Sequence, residues 1–413
     1  MIIVFVALLG IGLLCWNQFY TKRWNRGLDV EILFSCDHVC VGQRFTLTEI
    51  ISNRKRLPVP VLEIGFRVPT GIRFADAENT TVSDYIYKRD VFSLLGMESI
   101  TRRYHMEPVA RGRYKVSQIV CEAPSLLHFS TSRSEPELPD QELLVYARRV
   151  DVSRILLGIE AVLGEMESTR KTYEDPFAFA GIREYTIQDP MKTINWKASA
   201  RSGGLMVNTY TSMKAMNIRV CLDLEDSGIL KYPSLLEESI SIAATLCAKL
   251  IRQGRQVSLA VNVNPVINNF DGMNPGNPDS AGIISPGNPD SADPISPAAR
   301  PGSESDFVLL AGNSGEAFHK QLEEFLTQDF TNRKILPFVQ MLRHIDKLDD
   351  RNIRNAGDRI QVLITKNAAA MAAQIHETLK NTSGTILVVP YKSGMDLPVL
   401  DTGLRTILWE ETR

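Results

Sequence analysis

No charged side chain occurs in the first 21 residues; the run from Met1 to Thr21 ends at Lys22, the first charge in the chain. A helix of about 20 such residues, at roughly 1.5 Å each, spans the hydrocarbon core of a bilayer. Residues 1–21 are therefore expected to form a transmembrane anchor. Trp16, Tyr20 and Trp24 suit the membrane interface, and Lys22, Arg23 and Arg26 follow at once. A cleaved signal peptide would need a basic segment before the apolar run and a small-residue cleavage site after it, and the sequence has neither. The positive-inside rule then puts residues 22–413 in the cytoplasm, as a single-pass protein of the cell membrane. Six scattered cysteines (Cys15, Cys36, Cys40, Cys121, Cys221, Cys247) read as reduced thiols rather than a disulfide scaffold.

A chain of 413 residues is long enough for two or three domains. Its net charge of -2 gives no electrostatic footprint for nucleic-acid binding. With 44% hydrophobic and 23% charged residues, it is neither wholly disordered nor a polytopic membrane protein.

Residues 28–148 carry the signals of a β-sandwich. Leu62, Ile64, Phe66 and Val68 alternate with Glu63, Gly65 and Arg67, the period of a strand with one buried face. Leu28–Phe34, Phe45–Ile51, Ile100–Met106, Arg113–Glu122 and Leu143–Tyr146 are further expected strands, separated by Gly and Pro turns. Residues 149–217 hold a connecting helix, Ile155–Met166, and a dense signature segment. From residue 218 to 413 strands and helices alternate: strand Ile218–Asp223, helix Leu235–Ile251 stopped by Gly254, and strand Val257–Val263. Helices Glu316–Leu326 and Lys334–Leu348, strand Ile360–Thr365, helix Ala368–Leu379 and strand Thr385–Tyr391 complete the series. The expectation is an α/β domain with an open, Rossmann-type, mainly parallel sheet. Pro275–Ser285 and Pro286–Ser296 match at nine of eleven positions, in a Pro-, Gly- and Ser-rich stretch read as a disordered insertion over 265–305. Deleting Asn274–Arg300 is expected to leave the melting temperature unchanged; a large fall on thermal unfolding would contradict this.

Ionic and aromatic groups are densest between Phe177 and Leu205. Gln188-Asp189-Pro190 is a turn, Ile194–Ala200 is a short helix, and Arg183, Lys197 and Arg201 can pair with Glu184 and Asp189. This segment resembles the signature of the bacterial family known as domain of unknown function 58, roughly Gly-x-Arg-Glu-Tyr-x-x-Gly-Asp-x-x-(Arg/Lys)-x-Ile-(Asp/Asn)-Trp-(Lys/Arg)-x-(Ser/Thr)-Ala-Arg. Gly181, Arg183, Glu184, Tyr185, Asp189, Lys192, Ile194, Asn195, Trp196, Lys197, Ser199, Ala200 and Arg201 fall on it in order. Gln188 departs, standing where the family usually has glycine. The anchor, the Asn53–Pro58 stretch, Arg111-Gly112-Arg113-Tyr114 and the Leu143–Tyr146 strand are also similar.

The resemblance implies a von Willebrand factor A-like C-terminal domain and company with a MoxR-type AAA+ ATPase, hence a membrane-anchored protein-interaction or assembly adaptor. In that reading Arg183–Arg201 locks the domain junction and contributes a docking face: Asp189 caps or pairs, Trp196 packs, Arg183 and Arg201 bridge. Glu184, Tyr185 and Lys197 belong to the same interaction set. Von Willebrand A domains can hold a divalent cation through Asp-x-Ser-x-Ser; here Asp223, Glu225 and Ser227 stand at those positions, with Glu225 replacing the middle Ser and Lys366 near the later strand end. The site is expected to be degenerate, with no bound metal and no cofactor.

Cys36, His38 and Cys40 would share a strand face but lack a fourth ligand for zinc. Ser202-Gly203-Gly204 reads as a turn. The chain has no catalytic nucleophile motif, phosphate loop or paired-histidine metal motif. No enzyme activity is expected. The alternatives are a hydrolase or transferase of envelope metabolism using Asp189 or Glu184 as acid or base, and a purely structural membrane subunit.

Overall fold

The computed structural model describes residues 2–75, 80–125, 130–137, 141–170, 179–187, 189, 191–210, 217–226, 231–264, 307–312, 315–330, 333–351, 359–378, 384–394 and 404–411. The duplicated insertion, Gln188 and Ser227 lie outside them. The chain divides into two units, Met1–Arg149 with Glu323–Asp329, and Val150–Leu322 with Phe330–Arg413.

The first unit opens with helix α1 (Ile2–Arg23), long and apolar enough to cross a membrane. Its strands are β1 (Leu28–Phe34), β2 (His38–Cys40), β3 (Phe45–Asn53), β4 (Val59–Pro69), β5 (Ile72–Phe74) and β6 (Thr80–Val82). They continue with β7 (Tyr85–Leu94), β8 (Ser99–Pro108), β9 (Gly112–Tyr114), β10 (Gln118–Pro124), β11 (Thr131–Ser134) and β12 (Leu143–Tyr146). A four-stranded antiparallel sheet has the order β1-β3-β8-β5 and a five-stranded one β11-β10-β4-β7-β6, with a small third sheet β2-β12-β9. Alternation in β3 and β4 turns Leu47, Ile51, Leu62, Ile64, Phe66 and Val68 into one core, the arrangement of a β-sandwich.

Three expectations are corrected here. Tyr20 and Trp24 are buried in the core of this unit, not placed at a membrane interface; the Trp24 carbonyl accepts a bond from Lys55 Nζ at 2.5 Å. Arg113–Glu122 is not one strand: β9 pairs with β12 and β10 pairs with β4, so the chain changes sheets between Tyr114 and Gln118. Cys36 lies in a bend between β1 and β2 and does not share a strand face with Cys40.

Charged groups also enter the sandwich. Glu49 of β3 and Lys88 and Asp90 of β7 occupy inward positions and are buried. The Tyr104 hydroxyl lies 2.6 Å from Glu49 Oε2 and 2.8 Å from Asp90 Oδ2. One phenolic hydrogen can serve only one of these oxygens, so the second bond needs a proton on a carboxyl. Lys88 Nζ and Arg102 Nη1 lie 3.6 and 3.3 Å from Asp90 carboxylate oxygens, whereas Glu49 Oε1 has no hydrogen-bond partner among the described residues. Burial, and then the charge of Asp90, push the Glu49 carboxyl up to about 7 despite the Tyr104 bond and the nearby Arg102 and Lys88. Below about pH 7 Glu49 is thus the proton holder: its hydroxyl donates to Tyr104, and Tyr104 donates to Asp90.

The second unit contains α2 (Ser153–Arg170), β13 (Phe179–Glu184), α3 (Trp196–Ser202), β14 (Met206–Tyr210), β15 (Asn217–Leu222), α4 (Pro233–Arg252) and β16 (Gln256–Val261). It continues with β17 (Val308–Gly312), α5 (Glu316–Leu326), α6 (Phe338–Arg351), β18 (Arg359–Ile364), α7 (Ala368–Thr378), β19 (Thr385–Tyr391) and β20 (Arg405–Glu410). Its main sheet has the order β17-β16-β15-β18-β19-β20, parallel throughout except for β17, which runs antiparallel to β16. The central strands are buried along almost their whole length, because both faces are covered. Phe338, Met341, Leu342 and Ile345 of α6, with Ala368 and Ile375 of α7, pack on Cys221, Ala260, Leu363 and Leu387. On the other face α2 approaches so closely that a Cβ on Gly158 would lie 3.3 Å from Ile407 Cδ1 and 3.6 Å from Ile386 Cδ1. Glu238 of α4 accepts a bond from the Trp409 indole at 2.9 Å on that same face. The helix expected from Lys334 begins at Phe338 instead: Pro337 lacks an N–H and suits a helix start, while Ile335 bridges to Val263.

Candidate functional site

The signature segment is a small module of the second unit. Strands β13 and β14 pair antiparallel, with Arg183 opposite Val207 and Glu184 opposite Met206, and Tyr185 N–H bonding to the Leu205 carbonyl extends the pairing. Arg183 grips Asp189 with two bonds of 2.6 Å each. Asp189 Oδ2 also accepts the Thr186 N–H and hydroxyl, both at 2.8 Å. The Arg183 bonds first, then those of Thr186, hold the Asp189 carboxyl well below the usual carboxylate range. Asp189 is therefore the group on which Arg183 and Thr186 close; Gln188 and Pro190, the rest of the expected turn, lie outside the described residues. Asp189→Asn, which cannot accept from Arg183 and Thr186 together in this way, is expected to speed hydrogen exchange of the Thr186 amide about tenfold or more, read by NMR or mass spectrometry.

Two residues that sequence reasoning assigned no role hold the rest. Asn195 caps α3 by accepting the Ala198 N–H at 3.0 Å, and its amide reaches Asn208 Oδ1 at 2.8 Å. Ser199 Oγ accepts the Met206 N–H at 2.8 Å, tying α3 to β14. Asn directly before a helical run was a legible cap signal; the Ser199 contact depends on the hairpin fold and was not. Gly203, at φ 72°, ends α3 in the left-handed conformation, so Ser202-Gly203-Gly204 is a helix stop.

The expected packing of Trp196 is corrected: it is 66% exposed. So are Ile187 (96%), Met191 (72%), Leu205 and Ile182, while Ile194 and Val207 are buried. A short helix on a two-stranded ribbon has only one narrow inner face, and those two side chains fill it. Lys197 and Arg201 are exposed and, among the described residues, pair with neither Glu184 nor Asp189; of the expected pairs, Arg183–Asp189 forms.

A second constellation lies at the carboxyl ends of β15, β16 and β18. Asp223 is buried; its Oδ2 accepts the Thr365 hydroxyl at 2.6 Å, and its Oδ1 accepts Asn262 Nδ2 at 2.8 Å and the Glu225 N–H at 2.9 Å. Asn262 Oδ1 accepts the Leu224 N–H, and Asn367 Nδ2 donates to the Glu225 carbonyl, both at 2.8 Å. Lys366 pairs with Asp226, and Glu225 Oε2 accepts the Phe338 N–H at 3.4 Å. Burial raises the Asp223 carboxyl to about 6 against the opposing bond from Thr365. Among the described residues, no three His, Cys, Asp or Glu side chains are grouped so as to hold a metal ion.

The profile of one family, "Protein of unknown function DUF58", matches residues 181–271. That stretch starts at the head of the Arg183–Asp189 clamp and takes in Asp223, Glu225 and Asn262, while Thr365, Lys366 and Asn367 lie outside it. The uncharacterised protein YeaD of Bacillus subtilis is 24% identical over 251 residues, 60% of this chain. The chain spans 58% of that relative's length. Among solved structures, the CARDB domain of a Pyrococcus furiosus protein aligns with 29% of this chain and 91% of its own, at 20% identity and a TM-score of 0.18. A type I cohesin from Pseudobacteroides cellulosolvens aligns with 30% of this chain and 96% of its own, at 10% identity and a TM-score of 0.20.

Proposed function

We propose that the chain is a membrane-anchored protein-interaction adaptor working with a MoxR-type AAA+ ATPase, and that its α/β unit is von Willebrand A-like. The observation that carries the adaptor reading is the outward display of Trp196, Ile187 and Met191 beside Lys192, Lys197 and Arg201 on a hydrogen-bonded module. Large apolar side chains held in the open by a defined turn are what a docking surface needs and what a catalytic pocket lacks. The von Willebrand A-like reading is supported by the strand order, in which the chain starts at the sheet's centre, fills one side and then the other. The strand-end residues fit a hard cation poorly: Asp223 spends both oxygens on Thr365, Asn262 and a backbone N–H, and Lys366 brings an ammonium to Asp226. An acid or base role for Asp189 in a hydrolase or transferase has little support, since the Arg183 and Thr186 bonds keep that carboxylate ionised, with no proton to give and little tendency to take one.

Purification of tagged full-length protein from native membranes with trapped ATP tests the reading. An AAA+ ATPase should be recovered with the native chain and lost about tenfold or more with Trp196→Ala. Recovery of no ATPase from the native chain would overturn it.

A further inference from the structure

We propose that the end of the β-sandwich next to α1 is a lipid-binding collar, with Arg26, Arg54 and Arg56 on anionic phospholipid headgroups and Leu95 and Met97 dipping between them. This rests on the membrane-anchored reading and adds what the sandwich itself does at the bilayer. One end of the sandwich gathers the start of β1, the β3–β4 turn and the β7–β8 turn, because Leu28 pairs with Asn53, Ser52 with Ser99 and Val59 with Leu94. The three segments are bonded to one another. Lys55 Nζ donates to the Trp24 carbonyl at 2.5 Å, Arg54 N–H to the Gly27 carbonyl at 2.7 Å, and Met97 N–H to the Lys55 carbonyl at 2.9 Å. Asn53 Nδ2 donates to the Leu95 carbonyl at 2.8 Å, and Gly96 passes so close to the Arg56 carbonyl that a Cβ there would clash. Within this tight junction Leu95 and Met97 stay 68% and 70% exposed, and Arg26, Arg54 and Arg56 are exposed too.

The anchor brings this end to the bilayer. Apolar side chains of α1 are exposed as far as Phe19, while Tyr20 already lies in the sandwich core, so no spacer separates the span from the body. Covering the apolar run up to Phe19 with hydrocarbon lays a headgroup layer about 5–8 Å deep over about the next four or five residues of helix. That is the height of Tyr20 to Trp24. Both rings are turned into the sandwich, so the segments bonded to Trp24 and Gly27 are what the layer meets. Their charge suits it. Lys22, Arg23, Arg26, Arg54, Lys55 and Arg56 stand there against Glu98 and Asp29, the latter paired with Arg54, on a chain whose net charge is -2. Cations clustered beside a span attract anionic lipid. Among the described residues, Met97 is the one non-glycine residue in the left-handed region, at φ 58°. Glycine or asparagine would hold that turn at lower cost, but neither would offer apolar surface to the layer.

The test places the photo-crosslinker p-benzoylphenylalanine at position 95, or at exposed position 109 beyond the far end of β8, in the full chain. Each protein is reconstituted into vesicles of phosphatidylcholine with or without phosphatidylglycerol. Flotation of the vesicles reads the anchor, and the mass of the adduct reads the collar. Position 95 should gain a phospholipid and position 109 none, with about threefold more adduct when phosphatidylglycerol is present. Arg26→Gln/Arg54→Gln/Arg56→Gln should lose that gain, and Arg26→Lys/Arg54→Lys/Arg56→Lys should keep it. A chain that floats without a lipid adduct at 95, or with equal adducts at 95 and 109, overturns the collar and leaves the anchor standing. An adduct indifferent to phosphatidylglycerol, or equal loss in both triple variants, overturns the charge claim. A chain that does not float overturns anchor and collar together.

Discussion

Replacing Glu49 with glutamine is expected to flatten the pH dependence of the β-sandwich unit and to stabilise it by about 3 kcal/mol at roughly pH 8. In the folded chain the Glu49 carboxyl titrates at about 7, against an ordinary value of 4.5. The folded state therefore holds a proton that the unfolded chain releases, and its stability is greatest below 4.5 and declines as pH rises to about 7. Glutamine keeps the shape of the protonated acid and can donate its amide to Tyr104, which still donates to Asp90, so the chain of bonds survives without a titrating group. Opening free energies of β3 and β7 amides, followed by hydrogen exchange in the full chain across this pH range, provide the measurement. If the variant retained the native slope, the proton would not reside on Glu49.

The second large effect is expected at Asp223. Asp223→Ala removes the acceptor for the Thr365 hydroxyl, the Asn262 amide and the Glu225 N–H together. Buried donors without acceptors cost about 1–3 kcal/mol each, so the α/β unit should lose roughly 4 kcal/mol or more. Asp223→Asn keeps one acceptor oxygen and relieves the burial of a charge, and should cost about half as much or less. Urea unfolding of the full chain, read from amide protection in β15 and β18, separates the two. Equal losses in both variants would mean that the carboxylate's charge, rather than its acceptor count, holds the strand ends.

The limits of sequence reasoning are instructive in β7. Its inward positions are Ile86, Lys88, Asp90, Phe92 and Leu94, and two charges in the middle of that face erase the alternation that reveals β1, β3 and β4. The proton-sharing cluster and the unread strand thus have one cause: Lys88 and Asp90 are tolerated inside because Tyr104, Glu49 and Arg102 arrive from the opposite sheet, which no local window contains. The buried parallel strands were plain, because continuous apolar runs between helices leave little choice. Short edge strands β17 and β20 carry weaker patterns and escaped. In the signature module the order of residue types was legible and the Arg183–Asp189 pair was among the combinations foreseen. That Lys197 and Arg201 pair with neither Glu184 nor Asp189 among the described residues, and that Trp196 faces outward, depends on a two-stranded ribbon too thin to bury them. At the strand ends Asp223 and Glu225 were named as cation-site positions, but Asn262 reaches Asp223 through the pairing of β15 with β16, and Thr365 and Asn367 through the pairing of β15 with β18 across more than a hundred residues of chain.

Helix α1 does not end in a leash. Trp24 N–H still bonds to the Tyr20 carbonyl, both rings sit in the sandwich core, and Arg54 N–H closes on the Gly27 carbonyl at 2.7 Å before β1 begins. The apolar rod is mortised into the body it carries. Whatever medium receives its outer turns fixes the bearing of the sandwich as well, leaving rotation about the rod's own axis as the main freedom. Tilting the rod would steer the body.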